Sequence, residues 1–365
     1  MDMAIAENDL EALVKAQVDP NTGKPLGRTK SVRQVSVSEG VITVDLELGY
    51  PGRTLGAAVR ETVQKALGAQ PGVKQVNVNI DWRIKAHAVQ AGLKPLAGIR
   101  NVVAVASGKG GVGKSTTTVN LALALAAEGA RVGILDADIY GPSQPTMLGI
   151  HGHPEGAPDG KSMLPLEGYG LQTMSVGYLI DPDQPMVWRG PMVTQALEQL
   201  LRDTHWNDLD YLIVDMPPGT GDIQLTLAQK VPVTGAVIVT TPQDIALLDA
   251  RKGFKMFEKV GVPILGVVEN MSTHICSHCG HEEHIFGEGG AARMCADFGT
   301  ELLGALPLDI RIREQTDSGH PTVVADPEGP VTQTYRAIAR RVALKVAERS
   351  EDHGAKFPKI VVQNS

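Results

Sequence analysis

Hydrophobic and polar positions follow two different patterns along the chain. In the first part, apolar and polar residues alternate over residues 35–48 and again over 73–80, which is typical of half-buried β-strands. Residues 54–67 between them have the spacing of an amphipathic helix. The order of hairpin, helix and strand predicts a small α+β domain over residues 5–89.

The second part is built from short, mainly apolar runs separated by helical patterns. The runs cover residues 102–106, 131–135, 211–214, 236–239 and 264–268. Strands that are apolar on both sides are typical of a parallel sheet covered by helices on both faces. We therefore predict an α/β fold with a doubly wound, mostly parallel sheet over residues 100–349, which binds its ligands at the carboxyl ends of the strands.

The remaining segments are predicted from their composition. Residues 90–99 contain two glycines and a proline and are expected to form a linker. Residues 152–170 are rich in glycine and proline, which indicates a mobile surface excursion rather than a regular element. Residues 332–348 have the pattern of a helix with one apolar stripe, expected to dock on the core, and residues 350–365 are predicted to be disordered.

Composition and charge exclude several classes of function. Hydrophobic residues make up 42% of the 365 residues, as in a folded globular protein, and this length favours two domains. A formal net charge of -7 argues against nucleic acid as a partner of the whole surface. No apolar run is long enough to cross a bilayer, and residues 1–7 are unlike a signal peptide, so we expect no membrane partner. Three cysteines cannot make a disulfide framework, which indicates a cytoplasmic location.

A glycine-rich stretch connects the first apolar run to a predicted helix over residues 118–128. It has the pattern G-x-x-x-x-G-K-S between a strand and a helix, which is the context of a phosphate-binding loop. Its glycines let backbone N–H groups converge on phosphate oxygens at the positive end of the helix. Lys114 is expected to reach the β- and γ-phosphates of ATP, and the Ser115 hydroxyl to bind Mg²⁺. The predicted nucleotide-binding residues are Gly108, Lys109, Gly110, Gly111, Val112, Gly113, Lys114, Ser115 and Thr116.

Carboxylates follow two of the predicted strands. Asp215 ends one apolar run, which is the arrangement of a Walker B acid that holds Mg²⁺. Asp136 and Asp138 end another, where either acid can position the attacking water or complete the metal shell. The structural alternative for these two is a helix cap or a turn. The loop at 217–222 is expected to sense the γ-phosphate.

Lys109 is a second lysine inside the phosphate loop. Ordinary loops of this kind tolerate many residues there, so one interpretation is a solvated side chain. The stretch Lys-Gly-Gly-Val-Gly-Lys also resembles the deviant Walker A loop of dimerising ATPases, whose extra lysine touches the partner's nucleotide. The resemblance implies ATP held between two copies, where the partner's lysine stabilises developing phosphate charge. The candidate catalytic residues are Lys109, Lys114, Asp136 and Asp138.

A C-x-x-C motif, Cys276 and Cys279, places two thiolates on one turn, which is half a site because zinc or a four-iron cluster needs four ligands. One solution is a zinc site completed by histidines of the same chain: His274, His278, His281 and His284. In another, two chains each supply both cysteines across a dimer axis. A redox role is a third interpretation, although a thioredoxin-like context is absent. Cys295, in a predicted helix over 291–298, is expected to be a small buried side chain.

These motifs together resemble the Mrp/ApbC family of iron–sulfur cluster carrier ATPases, relatives of the nitrogenase iron protein and of the Min and Par positioning ATPases. The matching stretches are residues 107–115, 136–143, 215–222, 269–272 with the C-x-x-C, 285–290 and 306–309. The resemblance extends over residues 101–347, and the C-x-x-C distinguishes this family from Min and Par proteins. The N-terminal unit resembles the small domain of cluster-assembly factors, from which it departs at residues 21–24.

The resemblance implies a homodimer that holds a [4Fe–4S] cluster between the two pairs of Cys276 and Cys279. It further implies transfer of the cluster to apo iron–sulfur proteins, cluster-assembly scaffolds as partners, and slow ATP hydrolysis. Asn270, Pro307 and Asp309 match positions where the family contacts the base. We therefore predict ATP-dependent iron–sulfur cluster carriage. The alternative is a Min- or Par-like positioning or scaffold ATPase with a structural zinc site at the C-x-x-C.

Overall fold

The structure is a computed structural model that describes residues 7–90, 92–180, 190–276 and 278–352. Within these residues the chain divides into two units. The first contains the residues up to Ala88 together with those from Leu344 onward, and the second runs from Val89 to Ala343.

The first unit is a three-stranded sheet with helices on one face. Its elements are α1 (Glu7–Ala16), β1 (Val32–Ser38), β2 (Val41–Leu48), α2 (Gly56–Gly68) and β3 (Gln75–Trp82). The strands lie in the order β1-β2-β3, with β1 antiparallel and β3 parallel to β2. Every second side chain of β2 is buried, and its apolar face packs with helix residues such as Val14 and Val63. The alternating sequence of β2 therefore produces the core of this unit.

The second unit is organised around an eight-stranded sheet in the order β13-β10-β9-β4-β8-β5-β7-β6. Its strands, with a small separate hairpin formed by β11 and β12, are β4 (Ile99–Ala106), β5 (Val132–Asp136), β6 (Leu166–Gly168), β7 (Leu171–Ser175), β8 (Leu209–Asp215), β9 (Gly235–Thr240), β10 (Ile264–Glu269), β11 (His274–Ile275), β12 (Glu282–Glu283) and β13 (Leu302–Ala305). Neighbouring strands are parallel except for the β6–β7 pair. The predicted α/β fold with a doubly wound, mostly parallel sheet is confirmed.

Helices connect the strands and bury them on both faces. They are α3 (Lys114–Ala127), α4 (Gln144–Leu148), α5 (Gly190–Arg202), α6 (Asp222–Lys230), α7 (Asp244–Lys259), α8 (Gly290–Phe298), α9 (Ile310–Asp317), α10 (Thr322–Ala325) and α11 (Pro330–Asp352). The central strands β4, β8 and β9 are almost entirely buried, which explains their uninterrupted apolar sequence. No helix in the described part of the chain is long and apolar enough to span a membrane.

Two segments differ from the sequence prediction. Residues 152–170 were expected to contain no regular element, but they include β6, which pairs with β7 at the edge of the sheet. An edge strand has one neighbour, and the side chains of β6 are only half-buried or exposed, so its sequence has no apolar run.

The last helix also extends beyond residues 332–348, because α11 runs from Pro330 to Asp352 and includes the first three residues of the predicted tail. Residues 353–365 of that tail lie outside the described residues. From Leu344 onward the helix groups with the first unit, where Leu344 and Ala347 pack against its apolar core, whereas we expected these residues in the second domain.

The parallel sheet brings the candidate residues to one edge. Because β4, β5, β8, β10 and β13 are parallel, the loops that follow their carboxyl ends lie side by side. These loops contain the glycine-rich stretch, both aspartate motifs, the C-x-x-C and the segment around Pro307. The fold therefore assembles one site from stretches that are far apart in sequence.

Candidate functional site

The phosphate-binding loop leads from β4 directly into α3, as its sequence predicts. Gly111 and Gly113 adopt φ angles of 78° and 82°, a left-handed conformation that favours glycine. A Cβ atom on Gly113 would lie 2.1 Å from Nδ2 of Asn270. A Cβ atom on Gly108 would lie 2.1 Å from the backbone carbonyl carbon of Asp249. Residues 108–116 thus form a tightly packed turn that opens a helix N-terminus, where backbone N–H groups bind anions.

Lys114 and Asp215 form a buried ion pair at the start of α3. The Lys114 Nζ lies 2.6 Å from Oδ1 of Asp215, and the two side chains are 6% and 0% exposed. The same ammonium donates a hydrogen bond to Oγ of Ser115 at 3.1 Å. The two predicted Mg²⁺ ligands, Ser115 and Asp215, therefore both contact this ammonium, and their oxygen donors suit Mg²⁺.

Two further side chains orient the Asp215 carboxylate. The Thr118 hydroxyl donates to Oδ1 at 3.0 Å, and Nε2 of Gln144 donates to Oδ2 at 2.9 Å. Gln144 also donates to the backbone oxygen of Ser115 at 3.1 Å. Our sequence analysis missed both residues. The turn after Asp138, which brings the chain back to the phosphate loop, is the signal that could have indicated Gln144.

Asp136 and Asp138 have different surroundings although both follow β5. The buried carboxylate of Asp136 accepts hydrogen bonds from the N–H groups of Asp138, Ser143 and Gln144, at 3.0 to 3.2 Å, and from the Ser175 hydroxyl. These contacts are those of the structural alternative, a residue that stabilises the turn. Burial, followed by the nearby charge of Asp215, raises the pKa of Asp136 to about 7.

Asp138 is the better placed acid for orienting a water molecule. It keeps 13% of its side chain exposed, and its Oδ2 lies 3.9 Å from Nζ of Lys114. Burial raises the pKa of Asp138, while the charge of Lys114 opposes that rise. Its catalytic role stays a prediction, as does that of Asp136.

The loop at 217–222 lies against the phosphate loop. The N–H group of Gly219 donates to the backbone oxygen of Ser107 at 3.0 Å, and Gly219 has a φ of 95°. The side chain of Gln224 holds both arms of the loop, because it donates to the oxygen of Pro217 and accepts from the N–H group of Gly221. A ligand at the phosphate loop therefore borders this segment directly.

Lys109 is half-buried in the phosphate loop. Within residues 7–90, 92–180, 190–276 and 278–352, its ammonium makes no hydrogen bond and no ion pair. Only its backbone oxygen is engaged, by the hydroxyl of Ser107 at 2.8 Å. The geometry is compatible with both interpretations of this lysine, a solvated side chain and a donor to the partner's nucleotide.

The residues predicted to contact the base lie at two places. Asn270 is buried next to the phosphate loop and donates to the backbone oxygen of Val112 at 3.0 Å. Asp309 caps α9, and hydrogen bonds from Arg311 lower the pKa of its carboxyl. Pro307 and Asp309 line a cavity of about 520 Å³ that also contains Cys276 in its wall. The cavity therefore joins part of the predicted base site to the C-x-x-C.

The C-x-x-C forms the tip of the β11–β12 hairpin. The Cys276 N–H group donates to the backbone oxygen of His281, and the Gly280 N–H group donates to the oxygen of Cys276, both at 2.9 Å. Backbone N–H groups of His278 and Cys279 donate to the Cys276 sulfur and lower the pKa of its thiol. Cys276 is half-buried and Cys279 is exposed. The turn thus presents two thiols at the surface and stabilises one of them as a thiolate.

The neighbouring histidines do not complete a metal site in this chain. His274 and His284 instead hold the hairpin, with Nδ1 atoms 3.1 Å from the backbone oxygens of Leu308 and Ser272. Across the described ranges, no group of three or more histidine, cysteine, aspartate or glutamate side chains could hold a metal ion. The structure therefore does not assemble the predicted intrachain zinc site.

Cys295 lies apart from the motif in α8 and is buried, as expected. Burial, followed by the nearby charges of Glu269 and Glu301, raises the pKa of the Cys295 thiol to about 11. This thiol is therefore protonated and unreactive at neutral pH.

Comparison with known proteins identifies the family. Residues 98–343 match the family model described as NUBPL iron-transfer P-loop NTPase. The chain belongs to this family. Residues 7–80 match a second model, described as iron-sulfur cluster assembly protein. The resemblance to iron–sulfur cluster carrier ATPases is confirmed.

Proteins similar to this family member include the iron-sulfur cluster carrier protein of Pseudomonas fragi, 60% identical over 278 residues, which are 76% of this chain and 97% of that protein. The iron-sulfur cluster carrier protein of Salmonella typhimurium is 52% identical over 332 residues, 91% of this chain and 90% of that protein. A solved nucleotide-binding protein from Archaeoglobus fulgidus in complex with ADP is 36% identical, with a TM-score of 0.57 over 65% of this chain and 91% of that protein.

Proposed function

We propose that this P-loop NTPase carries an iron–sulfur cluster of the [4Fe–4S] type, delivers it to apo iron–sulfur proteins, and binds and slowly hydrolyses ATP as a homodimer. One observation carries the proposal: an exposed two-thiol turn lies on the same sheet edge as a complete phosphate-binding loop. The names of the similar proteins, iron-sulfur cluster carrier proteins, support it.

The donor set supports a cluster held between two chains. A four-iron cluster takes four cysteine ligands, and one chain offers Cys276 and Cys279 at the surface while Cys295 is buried. A two-fold axis beside the hairpin would bring two identical pairs together and supply all four thiolates. Thiolate ligands also need a reducing compartment, so we place the protein in the cytoplasm. Nucleic acid and membranes are not among the proposed partners.

Exposed apolar side chains support a second copy on this edge of the sheet. Large hydrophobic side chains with exposures from 42% to 70% lie after the carboxyl ends of the strands: Tyr140, Leu179, Met192, Ile245, Leu248, Ile275, Ile285 and Ile310. Monomeric proteins rarely expose many such side chains on one face, whereas interfaces bury them. The partner chain is the proposed cover of this face.

The phosphate site would hold ATP in the proposed dimer. Lys114 leaves Asp215 to pair with the β- and γ-phosphates, and Ser115 and Asp215 then hold Mg²⁺, which neutralises charge on the phosphates. The partner's Lys109 adds positive charge where the leaving phosphate develops negative charge. Asp138 orients the attacking water, while Asp136 fixes the turn that carries it. Because both sites lie at one interface, ATP binding would bias the geometry in which the cluster is held.

The first experiment measures iron, sulfide and zinc per chain after anaerobic reconstitution. We expect about four iron and four sulfide per dimer, lost in the Cys276→Ser/Cys279→Ser variant. A Cys295→Ala variant is the matched control and should keep its cluster, since this buried thiol is not a ligand. Stoichiometric zinc per chain without sulfide would refute cluster carriage and favour the positioning or scaffold ATPase.

A second experiment tests the lysine supplied by the partner. Neither Lys109→Ala nor Lys114→Ala should hydrolyse ATP alone, but a mixed dimer contains one site with both lysines. Random mixing should restore about a quarter of the wild-type rate, since half of the dimers are mixed and each has one intact site. A mixture that stays inactive while mixed dimers form would show that Lys109 acts within its own chain.

A further inference from the structure

A short connection joins the phosphate loop to the cysteine hairpin. Asn270, which touches the loop, precedes Cys276 by six residues, so the path spans at most about 20 Å. The first half of this connection is residues 270–273, and the second half is the hairpin that carries the C-x-x-C. Each end of residues 270–273 is fixed by different parts of the fold.

The front end is tied to the phosphate loop. The Asn270 side chain donates to the Val112 oxygen at 3.0 Å, and its backbone N–H group donates to the oxygen of Thr240 at 2.8 Å. Gly113 makes this contact possible, because any side chain there would overlap Nδ2 of Asn270. A change in the loop on binding phosphates therefore reaches Asn270 directly.

The back end is tied to the hairpin. Ser272 donates to the Leu306 oxygen through its N–H group at 2.9 Å and through its hydroxyl at 3.0 Å. Its own oxygen lies 3.1 Å from Nδ1 of His284, which follows the second hairpin strand. Leu308 donates to the oxygen of Thr273 at 2.7 Å. Ser272 and Thr273 therefore move together with the hairpin that carries Cys276.

Met271, between these two ends, has a φ of 56°. A residue with a side chain rarely adopts this left-handed conformation, and it persists where the surrounding structure holds it. Here Asn270 and Ser272 hold it from the two sides. If Asn270 is released from Val112, Met271 can relax to an ordinary φ, and this turns the chain that follows.

We propose that Asn270 and Met271 transmit the nucleotide state of the phosphate loop to the cysteine hairpin, with Met271 as a strained hinge. The proposal rests on the proposed function and names the part of the chain that couples its two sites. Met271 acts here as a positioning residue, which contacts neither nucleotide nor cluster. Strain makes the hinge bistable, since the hairpin has one position with Met271 held and another with Met271 relaxed.

The test compares Met271→Gly with Met271→Ala. Glycine adopts a positive φ without strain and so removes the bias, whereas alanine removes the same side chain but keeps the strain. In the cluster-loaded dimer, the rate of cluster transfer to a chelator is measured without nucleotide, with Mg-ADP and with Mg-ATP. The ratio of these rates should differ from one by about fivefold or more in the wild type and in Met271→Ala, and should approach one in Met271→Gly.

A second readout needs no cluster. Hydrogen exchange of residues 272–276 and 278–283 should change when a slowly hydrolysed ATP analogue binds the wild-type apoprotein, and should not change in Met271→Gly. Iron content and ATP hydrolysis should be the same in all three proteins. A wild-type nucleotide response in Met271→Gly, or none in the wild type, would overturn the hinge. Loss of iron from the wild type itself would instead refute cluster carriage.

Discussion

Replacing Lys114 with methionine should destabilise the nucleotide-free protein as well as abolish ATP binding. The ammonium lies 2.6 Å from the Asp215 carboxylate, and both groups are almost fully buried. Methionine keeps the length and apolar stem of the side chain but removes the charge. The variant would therefore leave Asp215 ionised in the interior without its cation.

The magnitude follows from the surroundings of Asp215. Removing one partner of a buried ion pair costs about 3–5 kcal/mol. Thr118 and Gln144 still donate hydrogen bonds to the carboxylate, so we expect the lower end of this range, about 3 kcal/mol. Lys114 also lowers the pKa of Asp136 and Asp138, and both pKa values rise when it is lost. Since a raised carboxyl pKa removes stability as pH rises toward it, the loss should be larger at pH 8 than at pH 6.

Urea unfolding and ATP titration of two variants separate stability from binding. The Lys114→Met/Asp215→Asn double variant carries no unpaired charge at this position, so it should regain about 2 kcal/mol relative to Lys114→Met. Neither variant should bind ATP, because the phosphates lose Lys114 in both. A loss below about 1 kcal/mol in Lys114→Met, or a double variant no more stable than the single one, would show that the ion pair does not form in solution.

Three further predictions test other parts of the chain. Because burial raises the pKa of Asp136 to about 7, the stability of the wild type relative to Asp136→Asn should fall by about 1.4 kcal/mol per pH unit from pH 5 to pH 7, and parallel urea curves would contradict this. Gly108→Ala should weaken ATP binding by about tenfold or more, measured by titration calorimetry, because its Cβ would overlap the backbone of Asp249; unchanged affinity would refute the close packing. Tyr50→Phe removes a 2.7 Å hydrogen bond to the buried Asp19 carboxylate and should cost about 1.5–3 kcal/mol in urea unfolding, whereas a negligible loss would mean that the remaining donors suffice.

The sequence pattern was most informative where burial is complete. The central strands have neighbours on both sides and helices on both faces, so their sequences are uninterrupted apolar runs that predict them. The strands β6, β7 and β13 lie at or next to the edges of the sheet and were not predicted. The sequence of β6 cannot show its role because its stability comes from pairing with β7 rather than from burial.

Local chemistry likewise predicted the phosphate loop, since glycines at fixed positions and a lysine at the helix start are local requirements of phosphate binding. The partners of Asp215 were a different case. Gln144 lies 71 residues before Asp215, and no local pattern connects them. Only the folded sheet brings the two side chains within 2.9 Å.

The sequence by itself determined the parallel α/β architecture, the phosphate loop and the two thiols, because each is specified by residues close together in the chain. The tertiary structure decided how the acids differ, since burial and hydrogen bonding make Asp136 a turn residue and leave Asp138 facing Lys114. It also decided that the histidines hold the hairpin rather than complete a metal site, because their ring nitrogens face backbone oxygens. Such choices depend on which groups meet in space, and this is set by the packing of the whole sheet.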